Sequence, residues 1–100
     1  GGSTMTYVMW HIKVEDFDKW KVVFDSDPLE RGSNGSKGGL VLRNSKNANE
    51  AMILLEWDES QLDKLQSLNQ SPKFKEVQEQ SGYTEPPAIY VLQVADKVSA

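Results

Sequence analysis

Residues 7–14 alternate as an extended chain would. Val8, Trp10, Ile12 and Val14 share one side, and Tyr7, Met9, His11 and Lys13 share the other. β-Branched and aromatic side chains dominate, so the stretch predicts a strand. From residue 17 the period changes: Phe17, Trp20 and Phe24 recur at i, i+3 and i+7, one face of a helix, and Val23 widens the stripe. Asp16 is placed to cap that helix. Asp27-Pro28 ends it, because proline lacks the amide donor and restrains its predecessor. Residues 31–39, "RGSNGSKGG", predict a mobile loop, a candidate flap over a pocket. Leu40 to Arg43 and Ala51 to Trp57 predict two strands of a hairpin, joined by a polar turn over residues 44–49.

The second half repeats the alternation of periods. Ser60 with Asp63 three residues on resembles a capping box, and Leu62, Leu65 and Leu68 then recur at helical spacing. Ser71-Pro72 opens a second helical piece, with serine as cap and proline in the first turn. Phe74 and Val77 point inward from it, and Gly82 is suited to end it in the left-handed conformation. Glu85-Pro86-Pro87 leads stiffly into a last strand, Ala88 to Ala95. The order β-α-β-β-α-β predicts a ferredoxin-like α+β fold, an antiparallel sheet with helices on one face, since right-handed crossovers put both on the same side.

The uncovered side of that sheet is the anomaly. A half-solvated sheet should alternate apolar and polar residues. Met52 and Leu54 oppose Ala51, Ile53, Leu55 and Trp57, while Ile89 and Val91 oppose Ala88, Tyr90, Leu92 and Val94, so both faces are largely apolar. An exposed apolar face of this size marks an interface, and a two-fold homodimer packing sheet on sheet is its simplest cover.

Composition narrows the partners. One hundred residues predict one domain, taken as residues 5–96 with a tail at 97–100; Gly1 to Thr4 read as an expression scar. The net charge of −4 and the scattered Lys and Arg argue against nucleic acid. With no cysteine there is no disulfide framework, thiolate nucleophile or Cys-based zinc site, and a lone histidine makes a poor transition-metal site. The longest apolar runs, such as residues 51–55, fall far short of a membrane span, and the default expectation is a cytoplasmic protein without membrane contact.

The stretches "TYVMWHIKVEDFDKWKVVFD", "GSKGGLVLRN", "ILLEWD", "SPKFKEVQEQSGY" and "PPAIYVL" together resemble the antibiotic biosynthesis monooxygenase-like family of the dimeric α+β barrel superfamily. The resemblance covers residues 5 to 95 and rests on the order and spacing of five weak motifs. It implies a small dimer with a pocket between sheet and helices in each subunit. It also implies one of several chemistries: cofactor-free oxidation of aromatic polyketides by dioxygen, haem degradation, or none, since one fold hosts many activities. Haem-degrading members use a histidine on the second helix; there is none between Ser60 and Gly82, so that motif is unmatched and no cofactor is expected.

His11, the only histidine, is the first catalytic candidate. A neutral imidazole with an unperturbed pKa near ~6.5 is suited to take a proton from a phenolic substrate and make it reactive toward oxygen. The plainer reading is a strand histidine, hydrogen-bonded and packed at a subunit interface. Arg43 and Trp57 are candidates to polarise a substrate oxygen, and Asn44 to orient a carbonyl. Cofactor-free oxygenases of the family use an Asn, Trp, Tyr and Arg set, a match here of residue types only. The plainer reading makes Trp57 core, Arg43 solvated and Asn44 a turn former. Trp10 and Tyr90, on strands expected to pair, are candidate walls for a flat substrate, or core packing. "GSNGSKGG" is no phosphate loop, since Lys37 is followed by Gly38-Gly39 and a strand. No serine triad is discernible. The leading expectation is a cofactor-independent monooxygenase acting on a small aromatic or quinol-like compound. The alternative is a non-catalytic homodimer that binds a small ligand or serves as a structural module.

Overall fold

The computed structural model describes residues 5–100; the four residues read as an expression scar lie outside the described residues. In chain order the elements are β1 (Met5–Lys13), α1 (Phe17–Asp25), β2 (Ser36–Arg43), β3 (Glu50–Asp58), α2 (Leu62–Asn69), α3 (Pro72–Ser81) and β4 (Ala88–Gln93), with a 3-10 turn at Glu59–Gln61. The sheet order is β2-β3-β1-β4, every pair antiparallel, which is the ferredoxin-like arrangement. Among the described residues, no helix is long and apolar enough to cross a membrane.

Register decides which side chains share a face, because cross-strand partners point the same way. One side carries the rows Val41–Ile53–Trp10–Ile89 and Leu55–Val8–Val91, together with Ala51–Ile12 and Trp57–Thr6. Val8, Ile12, Ala51, Ile53, Leu55 and Trp57 are buried there, and Trp20 of α1 and Leu65 of α2 complete the core. Each large apolar side chain so buried contributes about 1.5–3 kcal/mol. The other side carries the rows Leu40–Leu54–Met9–Tyr90 and Leu42–Met52–His11–Ala88, and no helix covers it. Leu40, Leu42, Met52, Tyr90 and Leu92 are exposed on it.

Local signals set most boundaries. Asp16 accepts from the amides of Asp18 and Lys19 at 3.0 and 3.3 Å, capping α1. Ser71 Oγ accepts from Phe74 N at 3.1 Å, and Gly82 ends α3 in the left-handed region at φ 72°. Three expectations are corrected. β2 begins at Ser36 rather than Leu40, so the end of the glycine-rich run is strand and no free flap extends to residue 39. Gly39 is required there by packing, because a Cβ would lie 1.9 Å from the Leu54 carbonyl oxygen. The turn into α2 is capped by Asp58, which accepts from Ser60 N and Oγ, and not by Ser60 itself. β4 stops at Gln93, two residues early.

Candidate functional site

Between the sheet and the helices lies a cavity of about 100 Å³. The sheet supplies Trp10, Ile53, Leu55 and Trp57; α1 supplies Trp20, Val23 and Phe24; α3 supplies Phe74, Val77, Gln78 and Ser81. Leu68 and Asn69 at the end of α2, Tyr83, and the loop residues Asp27, Pro28, Leu29 and Arg31 complete the lining. The three tryptophans are all that the chain contains. Trp10 and Trp57 are 6.1 Å apart and tilted by 52°, and Trp20 stacks on Phe24 at 5.0 Å, separations at which aromatic pairs attract.

The polar atoms of the cavity are few. Trp20 Nε1 donates to Tyr83 Oη at 3.2 Å. Burial pushes the Tyr83 hydroxyl's pKa up, against the lowering effect of that donation, so Tyr83 stays a neutral phenol with its own proton to donate. Asn69 Oδ1 is buried without a hydrogen-bond partner among the described residues, as is Trp57 Nε1, which lies against Gly35. At the rim, Arg31 Nη1 donates to Asp27 Oδ1 at 2.9 Å and to the Phe24 carbonyl at 3.0 Å. Asp27 and Glu30 hold φ values of 50° and 51°, left-handed backbone that disfavours side-chain-bearing residues. The Asp27 carboxylate helps hold this bend by also accepting from Arg31 N at 3.0 Å.

Of the candidate site residues read from sequence, the aromatic cavity brings together two, Trp10 and Trp57. His11 points to the opposite, uncovered face. Its Nε2 lies 3.0 Å from Glu50 Oε1, and since a carboxylate only accepts, the proton sits on Nε2. That hydrogen bond holds the Glu50 carboxyl below its usual pKa. Tyr90 is on the same uncovered face, in the row of Met9, so it does not pair with Trp10; Ile89 does. Arg43 Nε donates to the Ala48 carbonyl at 2.8 Å, and its guanidinium lies 4.2 Å over the Phe17 ring. Asn44 Oδ1 accepts from Lys46 N at 2.9 Å, the bond of a turn former. Arg43, Asn44 and Glu50 line a separate recess at the β2–β3 hairpin, away from the aromatic cavity.

Tyr83, Arg31, Asp27 and Asn69 were not among the candidate site residues read from sequence. Tyr83 follows the helix-ending Gly82 and closes the quoted stretch "SPKFKEVQEQSGY", the one signal that could have drawn attention to it. Arg31 and Asp27 flank a turn, where polar residues are ordinary.

No family model matches the chain, and no curated protein matches it. Solved structures do. A protein described as "putative antibiotic biosynthesis monooxygenase" from Bordetella bronchiseptica superposes with a TM-score of 0.73 at 18% identity, covering 92% of this chain and 98% of its own. One of the same description from Caulobacter crescentus gives 0.67 at 16% identity, covering 94% and 92%. SnoaB, a cofactor-independent oxygenase from Streptomyces nogalater, gives 0.70 at 13% identity, covering 99% and 100%. The chain therefore has, over nearly its whole length, the fold shared by these antibiotic biosynthesis monooxygenase-named proteins and by a cofactor-independent oxygenase.

Proposed function

We propose that the cavity takes up a small, flat aromatic or quinol-like compound and oxidises it with dioxygen without a cofactor. The observation that carries this reading is the lining: an aromatic wall from the sheet, α1 and α3, with few polar side chains. Trp10, Trp57 and Trp20 form the walls. The Tyr83 hydroxyl donates to a substrate oxygen, Asn69 Oδ1 accepts from a substrate hydroxyl, and the Arg31 charge favours the anion formed when the substrate loses its proton. Asp27, the one carboxylate in the lining, is the candidate acceptor of that proton. The electron-rich carbon of the anion then bonds one oxygen of dioxygen. As the O–O bond breaks, that carbon loses its remaining C–H bond and becomes a carbonyl. The other oxygen leaves as water with the two substrate hydrogens, the substrate supplying all four electrons. A cavity of about 100 Å³ is on the scale that admits a single ring, since an engineered apolar cavity of about 150 Å³ binds benzene. The name of the Streptomyces nogalater neighbour supports the reading by analogy of fold.

His11, Arg43, Asn44 and Tyr90 have no part in this chemistry. Oxygen uptake with substituted hydroquinones and anthrones tests the assignment. His11→Ala is expected to leave uptake unchanged, and Tyr83→Phe to reduce kcat on the order of 100- to 1,000-fold, the range for loss of one donor to a developing charge. Uptake that survives Tyr83→Phe but disappears with His11→Ala would overturn it. The alternative, binding without turnover, is favoured by one feature: Asp27 is already tied to Arg31.

We also propose that a second copy covers the open face. The rows through Leu40, Leu42, Met52, Met9, Tyr90 and Leu92 form an apolar surface continuous across all four strands, and a two-fold pairing would bury it from both sides. Sedimentation is expected to give a dimer at micromolar concentration and a monomer for Leu42→Asp. A wild-type monomer under those conditions removes the proposal.

A further inference from the structure

Arg31 is fixed more firmly than a loop residue needs to be. Its backbone carbonyl accepts from Asn34 N and Ser36 N at 3.1 and 3.0 Å, and its amide donates to Asp27 Oδ1. Its guanidinium lies 4.2 Å from the centroid of the Phe24 ring. Nη1 spends both of its hydrogens, one on the Phe24 carbonyl and one on Asp27 Oδ1. A guanidinium has five N–H donors. The remaining three, on Nε and Nη2, have no protein partner among the described residues. Nε–H and one Nη2–H run parallel along one edge, the spacing that a carboxylate's two oxygens match.

Phe24 behind the guanidinium and Asp27 at its other edge hold the plane still, so little side-chain entropy remains to be lost on binding. Asp27 offsets the charge at the Nη1 edge but leaves the Nε–Nη2 edge unsatisfied. An arginine placed in this way is suited to bridge two carboxylates, one on each side. Arg31 also lines the aromatic cavity.

We propose that the Nε–Nη2 edge of Arg31 is a carboxylate-binding fork, and that the ligand of the cavity is an aromatic carboxylate whose ring lies among the tryptophans. The inference rests on the reading of the cavity as a ligand site and deepens it. With the carboxylate held at Arg31, the Tyr83 hydroxyl and Asn69 Oδ1 remain for a hydroxyl substituent on the ring.

The test is an NMR titration of the protein with benzoate and with benzamide, a neutral molecule of the same shape. The three indole Nε1–H signals are the reporters, because all three tryptophans line the cavity. Benzoate is expected to bind about tenfold or more tighter than benzamide, the size of effect for a charge-assisted bidentate pair, and to weaken as salt is added while benzamide does not. Arg31→Gln is expected to abolish the preference for benzoate over benzamide. Arg31→Lys keeps the cation and can still bond Asp27 but lacks the fork; it is expected to keep the wild-type melting temperature and lose most of the preference. Equal affinity for the two probes in the wild type, or an undiminished preference in Arg31→Lys, overturns the proposal while leaving an aromatic ligand site standing. Perturbation of no indole by either probe overturns both. A benzoate preference without any oxygen uptake confirms the fork and removes the oxidation, so the two readings fail separately. Should Arg31→Gln not fold, the wild-type comparison, its salt series and Arg31→Lys still decide.

Discussion

Gly39→Ala is expected to break the pairing of β2 with β3 and to cost about 3 kcal/mol or more, at or beyond the top of the ordinary range for point substitutions. The reason is close approach rather than backbone freedom. The added methyl would lie 1.9 Å from the Leu54 carbonyl oxygen and 2.9 Å from Leu54 C and Leu55 Cα. All three are main-chain atoms of β3, so no side-chain rotation relieves the overlap, and the strands must separate. β2 would then withdraw Val41 from the helix-facing row and Leu40 and Leu42 from the open face. Urea unfolding followed by circular dichroism measures the loss. Gly32→Ala is the control, since nothing lies within 4 Å of its added carbon, and it is expected to change stability by less than about 0.5 kcal/mol. If Gly39→Ala unfolds at the wild-type midpoint, the irregular register between Ser36 and Gly39 is not the one described.

Trp57→Ala is expected to cost about 3–5 kcal/mol, the range for truncating a buried aromatic to alanine. Trp57 is 1% exposed, packs on Trp10 and forms part of the cavity wall. Its removal merges core and cavity, so the affinity for a flat ligand should fall with stability. Trp57→Phe separates the two effects. It keeps most of the volume and discards an indole N–H that has no partner, so it should recover most of the stability. Thermal melts of both variants check this, and a loss under about 1 kcal/mol for Trp57→Ala would show that the wall collapses to fill the space.

The strands were legible because parity is a local property. Val8, Trp10, Ile12 and Val14 share a side by alternation alone, and the structure keeps that grouping. Parity also separated His11 from Trp10 and Tyr90 from Ile89. It could not say which side the helices cover, and that choice decides whether His11 meets a cavity or the open face. Caps at Asp16 and Ser71 and the stop at Gly82 were legible for the same reason: each acts within four residues. The start of β2 was hidden because a Gly- and Ser-rich run is read by composition as loop, whereas Gly39 answers to an oxygen on a neighbouring strand. Arg31, Asn69 and Tyr83 come to one cavity from a loop, the end of α2 and the segment after α3. No local pattern marks residues whose only relation is tertiary.

Tyr83 is stitched from several directions. It bridges Val14 in the backbone, and its hydroxyl accepts from Trp20. On either side, Glu15 N donates to the Gly82 carbonyl and Thr84 N to the Lys13 carbonyl, each at 2.9 Å. The end of α3 is thereby riveted to the junction of β1 and α1, and the cavity has no hinge on that side. On the loop side of the lining, the bend from Asp27 to Arg31 is held by one carboxylate oxygen that receives both the amide and the guanidinium of the same arginine. The same bond that shapes the bend therefore also sets the angle of the guanidinium proposed to hold a carboxylate.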